Sequence, residues 1–412
     1  MFRKPISEKT PRKLLFIFEI LSLLLIFIYQ GERPDRYTLA TGIGLVIIVY
    51  LSNYILLKLS DGDHYIFLIA TMLMSIGVIM IYRLDPLLGV RQLIWISLGI
   101  LCFYITYFII KYIRNWDKFI YLYIGMAYLL FILTLTLGVE TYGSTNWISI
   151  KGFSFQPAEI TKLILIFILA SYYSNYEKFK EIKYSAYYLM GIVYSFIALL
   201  FLQRELGMSV IFYCIFMALL FIYEEDRKLL LYNIVLLIVG AILGYFLFGH
   251  AKIRIQTWLD PWAYIDGKGY QITQSLFALA EGGFFGTGLG LGHPYFIPLA
   301  YNDFIFPAIV EEMGIFTGIG IIMLFMILVY RGFKIAIIQD YKFYRILALG
   351  ISVLFGIQSF IILGGVLKLI PLTGITLPFM AYGGTSILSS FIALGILQVA
   401  SEDLDWKVIS DE

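Results

Sequence analysis

Cysteine, histidine and charge are all scarce in this chain: of 412 residues two are cysteine and three are histidine, and 14% are charged. Two cysteines cannot build a disulfide framework, and with His64, His250 and His293 scattered along the chain no metal cluster is legible. Cys102 and Cys214 lie inside apolar runs and read as small core residues. Soluble domains carry about 25% charged residues. The shortfall here leaves too little polar surface to coat a water-soluble fold, which excludes soluble enzyme folds, nucleic-acid binders and secreted scaffolds. In place of charge there is 60% hydrophobic residues and a mean hydropathy of +0.87. The apolar stretches are continuous and do not alternate, so a β-barrel is excluded as well. The solvent for most of the chain must be a bilayer.

Twelve apolar runs approach the roughly 17–25 residues that a membrane-crossing helix needs: 14–29, 39–57, 64–82, 91–110, 118–138, 156–172, 184–202, 206–223, 229–248, 305–330, 343–366 and 378–400. The expected fold is an all-α polytopic membrane protein of about 12 transmembrane helices with a large extracellular loop. The first run is followed by Gln30-Gly31-Glu32-Arg33, with no small-residue cleavage site, and reads as a retained helix. Its Glu19 must face a neighbouring helix or snorkel. With the N-terminus inside, the inner segments hold 19 lysines and arginines and the outer ones 10. That bias puts both termini in the cytoplasm. The chain divides into a tail with two helices over 1–63, a core over 64–400 that includes the outer loop 249–304, and a cytoplasmic tail over 401–412. Within the loop, Tyr270–Ala280 reads as a short amphipathic helix at the interface.

Ionisable residues inside a membrane are costly and mark function by default. Glu159 and Lys162 follow Gln156-Pro157, where proline suits a helix start, and their i, i+3 spacing puts them on one face. They either neutralise each other or line a polar cavity. Gln203-Arg204-Glu205-Leu206-Gly207 reads as an outer turn. The glycines between Gly282 and Gly292 lack G-x-G-x-x-G spacing and a preceding strand, so they read as turns and close backbone approach, not a nucleotide loop. Asp303 stands where the outer loop enters a helix, either as an N-cap or as a general base at a cavity mouth. Glu311 and Glu312, two turns deeper, need a polar lining or a partner. Pro371 to Pro378, followed by Tyr382-Gly383-Gly384-Thr385-Ser386, breaks the last apolar region. Irregular backbone at that depth lines a cavity or is buried in protein.

Together these pieces resemble the SEDS family (shape, elongation, division and sporulation), the FtsW, RodA and SpoVE proteins of bacteria. Similar motifs run from about residue 66 to 400. They are Ser75 to Tyr82 and Trp147-Ile148; Phe155-Gln156-Pro157-Ala158-Glu159-Ile160-Thr161-Lys162; Gly269-Tyr270-Gln271-Ile272-Thr273-Gln274-Ser275; Asp303-Phe304-Ile305-Phe306 with Glu311-Glu312-Met313-Gly314; and Leu377 to Ser386. Where the family carries Glu and His ahead of its Asp, this chain has Leu299 and Tyr301, and a frequent Asn is Ile362. The resemblance implies a core of about ten helices plus two N-terminal ones. It implies a peptidoglycan glycosyltransferase that polymerises lipid II at the outer face of the bacterial cytoplasmic membrane, with a class B penicillin-binding protein as partner and no nucleic acid. It makes Asp303 the essential acid, with Glu159 and Lys162 beside it. Gln156, Gln271, Gln274, Ser275, Glu312, Tyr382, Gly383 and Gly384 become candidates for substrate contact.

The expected chemistry is attack by a sugar 4-hydroxyl on the anomeric carbon of a second lipid-linked chain, expelling a lipid diphosphate. Such a reaction needs a base for the hydroxyl and cations for the diphosphate. Asp303 is the candidate base. Lys162 would stabilise the diphosphate or hold Asp303 ionised, and Glu159 would position Lys162. No cofactor is identified, and magnesium or manganese is left open as an ion sharing the diphosphate charge. The rival readings are a lipid II flippase or other carrier, and a membrane scaffold for the penicillin-binding protein. Carriers of this size often show internal repeats, and the two halves of this chain share none.

Overall fold

The structure, a computed structural model, describes residues 9–29, 36–113, 115–141, 143–150 and 153–402. The tails over 1–8 and 403–412, with their share of the charge count, lie outside the described residues, as do Gln30-Gly31-Glu32-Arg33, Arg114 and Lys151. Each apolar run is helical over most of its length, the last only from Gly384. The helices in chain order are α1 (Lys9–Tyr29), α2 (Arg36–Leu59), α3 (His64–Leu84), α4 (Pro86–Tyr112), α5 (Ile120–Leu137), α6 (Pro157–Ser174), α7 (Tyr176–Lys180), α8 (Ser185–Leu202), α9 (Leu206–Tyr223), α10 (Lys228–Leu247), α11 (Gly249–Leu259), α12 (Tyr270–Glu281), α13 (Ile305–Ile338), α14 (Lys342–Val366) and α15 (Gly384–Ala400). Ten of these are long and apolar enough to cross a membrane. The apolar α15, at 17 residues, is shorter. The protein is thus an all-α, multi-pass membrane protein.

Helices α3, α6 and α14 are buried over most of their length and form the centre, while α8 and α10 expose long apolar faces. Helix α15 lies along α4, and α13 along α14. The N-terminal pair docks on α3 through polar contacts. The Ser75 hydroxyl lies 2.5 Å from Glu19 Oε1, so the buried acid does face a neighbouring helix. Asn53 donates to Thr71 Oγ1 at 3.4 Å.

The connection after α5 departs from the all-helical expectation. It forms a three-stranded antiparallel meander of β1 (Gly138–Thr141), β2 (Ser144–Ile150) and β3 (Phe153–Phe155). Thr145 N–H donates to Gln203 O at 3.1 Å, which ties the meander to the turn between α8 and α9. The amphipathic helix of the outer loop is present as α12, one residue longer than expected.

Helix α13 is broken at Gly314 (φ 78°, ψ 170°). The break removes the helical bonds from the amides of Ile315 and Phe316 to the carbonyls of Glu311 and Glu312, and orphaned backbone groups are costly near a membrane. The glycine loop takes their place. Thr287 and Gly288 donate to the two carbonyls at 2.9 and 3.0 Å, and the two amides donate to Gly283 O and Phe284 O at 3.0 and 3.4 Å. A side chain on Gly314 or on Gly286 (φ 84°) would run into the other's backbone, so glycine is required on both sides of the splice.

Candidate active site

The prolines at 371 and 378 keep the segment between them out of helical geometry, and it runs as an irregular strand between α14 and α15. Helices α9 and α11 and the loop carrying Asp303 converge on it. From α11, Arg254 Nη1 donates to Thr373 O at 2.6 Å. Its Nη2 lies 2.8 Å from where a Cβ on Gly374 would sit, and Asp303 Oδ2 lies 3.7 Å from the same point. Gly374 has φ +73°, so both its conformation and its position between acid and guanidinium favour glycine. From α9, Gly207 abuts Thr373 O. Tyr382 N–H donates to Tyr301 O at 2.8 Å and the two rings meet edge to face. The loop carrying Asp303 is therefore stitched to the segment.

Asp303 is not a helix cap. The residue preceding α13 is Phe304, and no side chain caps that helix. Asp303 is half-buried, and among the described residues its carboxylate has no hydrogen bond or close ion pair. Burial raises its pKa from 3.8 to about 6, against the opposing pull of Arg254. Such an acid is matched to accepting a proton near neutrality.

Glu159 and Lys162 are paired as the spacing predicts, at 2.5 Å. They are also sealed: Lys162 is 1% and Glu159 2% exposed. Lys162 donates a second bond to Gln358 Oε1 at 3.1 Å, and Glu159 accepts from Ser389 Oγ. Neither makes a close contact with Asp303. Just outside the pair, Gln156 Nε2 donates to Glu205 Oε1. Burial, reinforced by Glu159, raises Glu205 to about 8, while Asn146, Gln156 and Lys162 act the other way.

The remaining candidates divide. Glu312 is engaged by Arg83 and the glycine loop. Its Oε1 pairs with Arg83 Nε at 3.2 Å and its Oε2 accepts from Gly290 N–H at 2.9 Å, so with Glu311, which accepts from His293 N–H at 2.5 Å, it clamps the glycine loop. Gln271 donates to Pro298 O at 2.7 Å and Ser275 to Val366 O at 3.4 Å, which docks α12 beneath the loop. Gln274 lies partly buried on α12 with no side-chain bond among the described residues. Gly383 and Gly384 open α15, Gly384 packed against the Trp95 ring. Sequence reasoning missed Arg254, Gln358 and Ser389. Arg254 was one cation in a long loop, and the other two are ordinary polar residues of apolar helices. No group of three or more His, Cys, Asp or Glu side chains that could hold a metal occurs among the described residues.

The family model described as cell cycle protein, covering FtsW, RodA and SpoVE, matches residues 63–405. The peptidoglycan glycosyltransferase RodA of Mycobacterium bovis is 36% identical over 358 residues, covering 80% of this chain and 76% of that protein. The stage V sporulation protein E of Bacillus subtilis is 32% identical over 363 residues, covering 82% and 97%. Among solved structures, a chain from a peptidoglycan synthase complex superposes with a TM-score of 0.70 at 23% identity, over 84% of this chain and 99% of that one. The rod shape determining protein RodA of Thermus thermophilus gives 0.63 at 24% identity, over 83% and 97%.

Proposed function

This chain belongs to the FtsW, RodA and SpoVE family, and from that premise we propose how it works as a peptidoglycan glycosyltransferase: Asp303 is the general base and Arg254 the cation beside it. The substrate is lipid II. The 4-hydroxyl of one lipid-linked sugar gives its proton to Asp303 as its oxygen attacks the anomeric carbon of the other chain. The bond from that carbon to the diphosphate breaks, and the lipid diphosphate leaves with the electron pair. The observation that carries this reading is an acid that caps no helix and, among the described residues, has no hydrogen bond, raised to about 6, with the Arg254 guanidinium across Gly374 from it. A fixed charge aimed at developing negative charge is the usual way such a step is accelerated. Magnesium or manganese, which commonly binds through one or two carboxylates plus substrate phosphates, would find Asp303 here and would add charge to neutralise the diphosphate.

The cleft lies on the outer side if the charge bias sets the orientation, with both termini in the cytoplasm. A class B penicillin-binding protein is the partner that would cross-link the strands. The test is polymerisation of labelled lipid II by the purified protein with its cognate partner, read as glycan length on a gel. Strands from wild type and none from Asp303→Asn support the reading. A wild-type protein that moves lipid II between leaflets and makes no strands would favour the carrier.

A further inference from the structure

The buried pair and the glycine-rich C-terminal motif are two parts of one hydrogen-bonded ring. Lys162 donates to Gln358 Oε1 at 3.1 Å, and Gln358 Nε2 donates onward to Thr376 O at 2.9 Å. Thr376 Oγ1 bonds Ser386 Oγ at 2.7 Å. One helical turn further along α15, Ser389 donates to Glu159, which holds Lys162. The ring joins α6, α14 and α15 to the irregular segment, and Gln358 and Ser389 are each 1% exposed. A charge pair this deep needs hydrogen bonds beyond its own, and the ring supplies one to each member. A sealed ammonium of this kind cannot reach a diphosphate in the cleft. What it can reach, through one amide, is the strand two residues from Gly374.

Resting on the glycosyltransferase reading, we propose that Glu159 and Lys162 are positioning residues, not substrate contacts, and that Gln358 is the link through which they fix residues 373–376. The ring holds Thr376 and Arg254 holds Thr373, so Gly374 is pinned from both sides between guanidinium and acid. The substrate is served by Asp303 and Arg254. The ring sets their spacing.

The experiment replaces Gln358 by Leu, alone and with Lys162→Met, in the purified full chain with its partner. Displacing a catalytic group by about 1 Å can cost on the order of 100-fold. Gln358→Leu should lower kcat roughly 10- to 100-fold and leave KM within about threefold, because the sugar-binding surface is untouched. The double variant should be within about threefold of the worse single variant, since both break one ring. Amide hydrogen exchange over 371–377 should quicken in every variant, with or without lipid II. Should Gln358→Leu fail to fold, Gln358→Glu keeps the acceptor for Lys162 and loses the donor to Thr376, and the same pattern is expected. Losses that multiply in the double variant would overturn the proposal, as would unchanged exchange over 371–377 or an effect confined to KM. A wild-type chain inactive on lipid II would refute the glycosyltransferase reading, yet the exchange measurement would still decide the ring.

Discussion

At the scale of residues, the decisive group is a half-buried carboxylate with no hydrogen bond or close ion pair among the described residues. Asp303 must be deprotonated to act as a base, so kcat/KM should rise with pH through about 6 and level off above it. Arg254→Met removes the charge that holds this pKa down, so the rise should move to higher pH. The same burial has a stability consequence of opposite sense. Because the folded-state pKa lies above the ordinary 3.8, the folded protein holds the proton more tightly. Stability is therefore fullest below about pH 4 and falls as pH rises through about 6. Asp303→Asn, while losing about 10²–10⁴-fold in rate, should melt higher than wild type at pH 7, and thermal scans in detergent would check this. A helix cap would show neither effect, since Asn caps as well as Asp. Asp303, Glu159 and Lys162 were legible in the sequence because a charge next to apolar runs demands a reason. Arg254 was not, because the residues that give it meaning are about 50 and 120 positions away. Gln358 and Ser389 were less visible still, since they carry no charge and their partners lie on other helices.

At the scale of elements, the splice between α13 and the glycine loop decides how the loop ahead of Asp303 is held. Hydropathy reads 305–330 as one run, since apolar content is continuous through Gly314 and periodicity cannot see a broken hydrogen-bond ladder. The glycines of 282–292 were legible as turns, and Gly283, Gly286, Gly288 and Gly290 all adopt positive φ. What they turn around was not legible, because the partner is the backbone of another element. Gly314→Ala should destabilise the protein by about 1–3 kcal/mol, the cost of a residue held in an unfavourable backbone region. It should also speed proteolysis of the 282–292 loop relative to wild type, and an unchanged melting temperature and cleavage rate would contradict the splice. The β-meander escaped notice for a simpler reason. Its strands are 4, 7 and 3 residues long, too short to set a period of two against a helical background.

At the scale of the whole molecule, the all-α, multi-pass class was legible because membrane-crossing length is a strong constraint on sequence, whereas the expected twelve spans compare with ten helices of crossing length among the described residues. The expected boundary at 400 falls inside a packed junction. Glu402 accepts from Ser60 Oγ at 2.5 Å and Tyr107 OH at 2.6 Å and pairs with Lys111 at 2.8 Å, which ties the end of α15 to α4 and the α2–α3 turn. The asymmetry of lysine and arginine predicts that a cysteine at position 268 is labelled from outside intact cells and one at 180 is not; the reverse would invert the orientation. These expectations converge on the site around Gly374. The measurement that reaches the central claim most directly is polymerisation of labelled lipid II in proteoliposomes containing the partner synthase, comparing wild type with Asp303→Asn at matched insertion. The account predicts long glycan strands from the first and almost none from the second, with partner binding intact in both. Strands of near-normal length and rate from Asp303→Asn would contradict it.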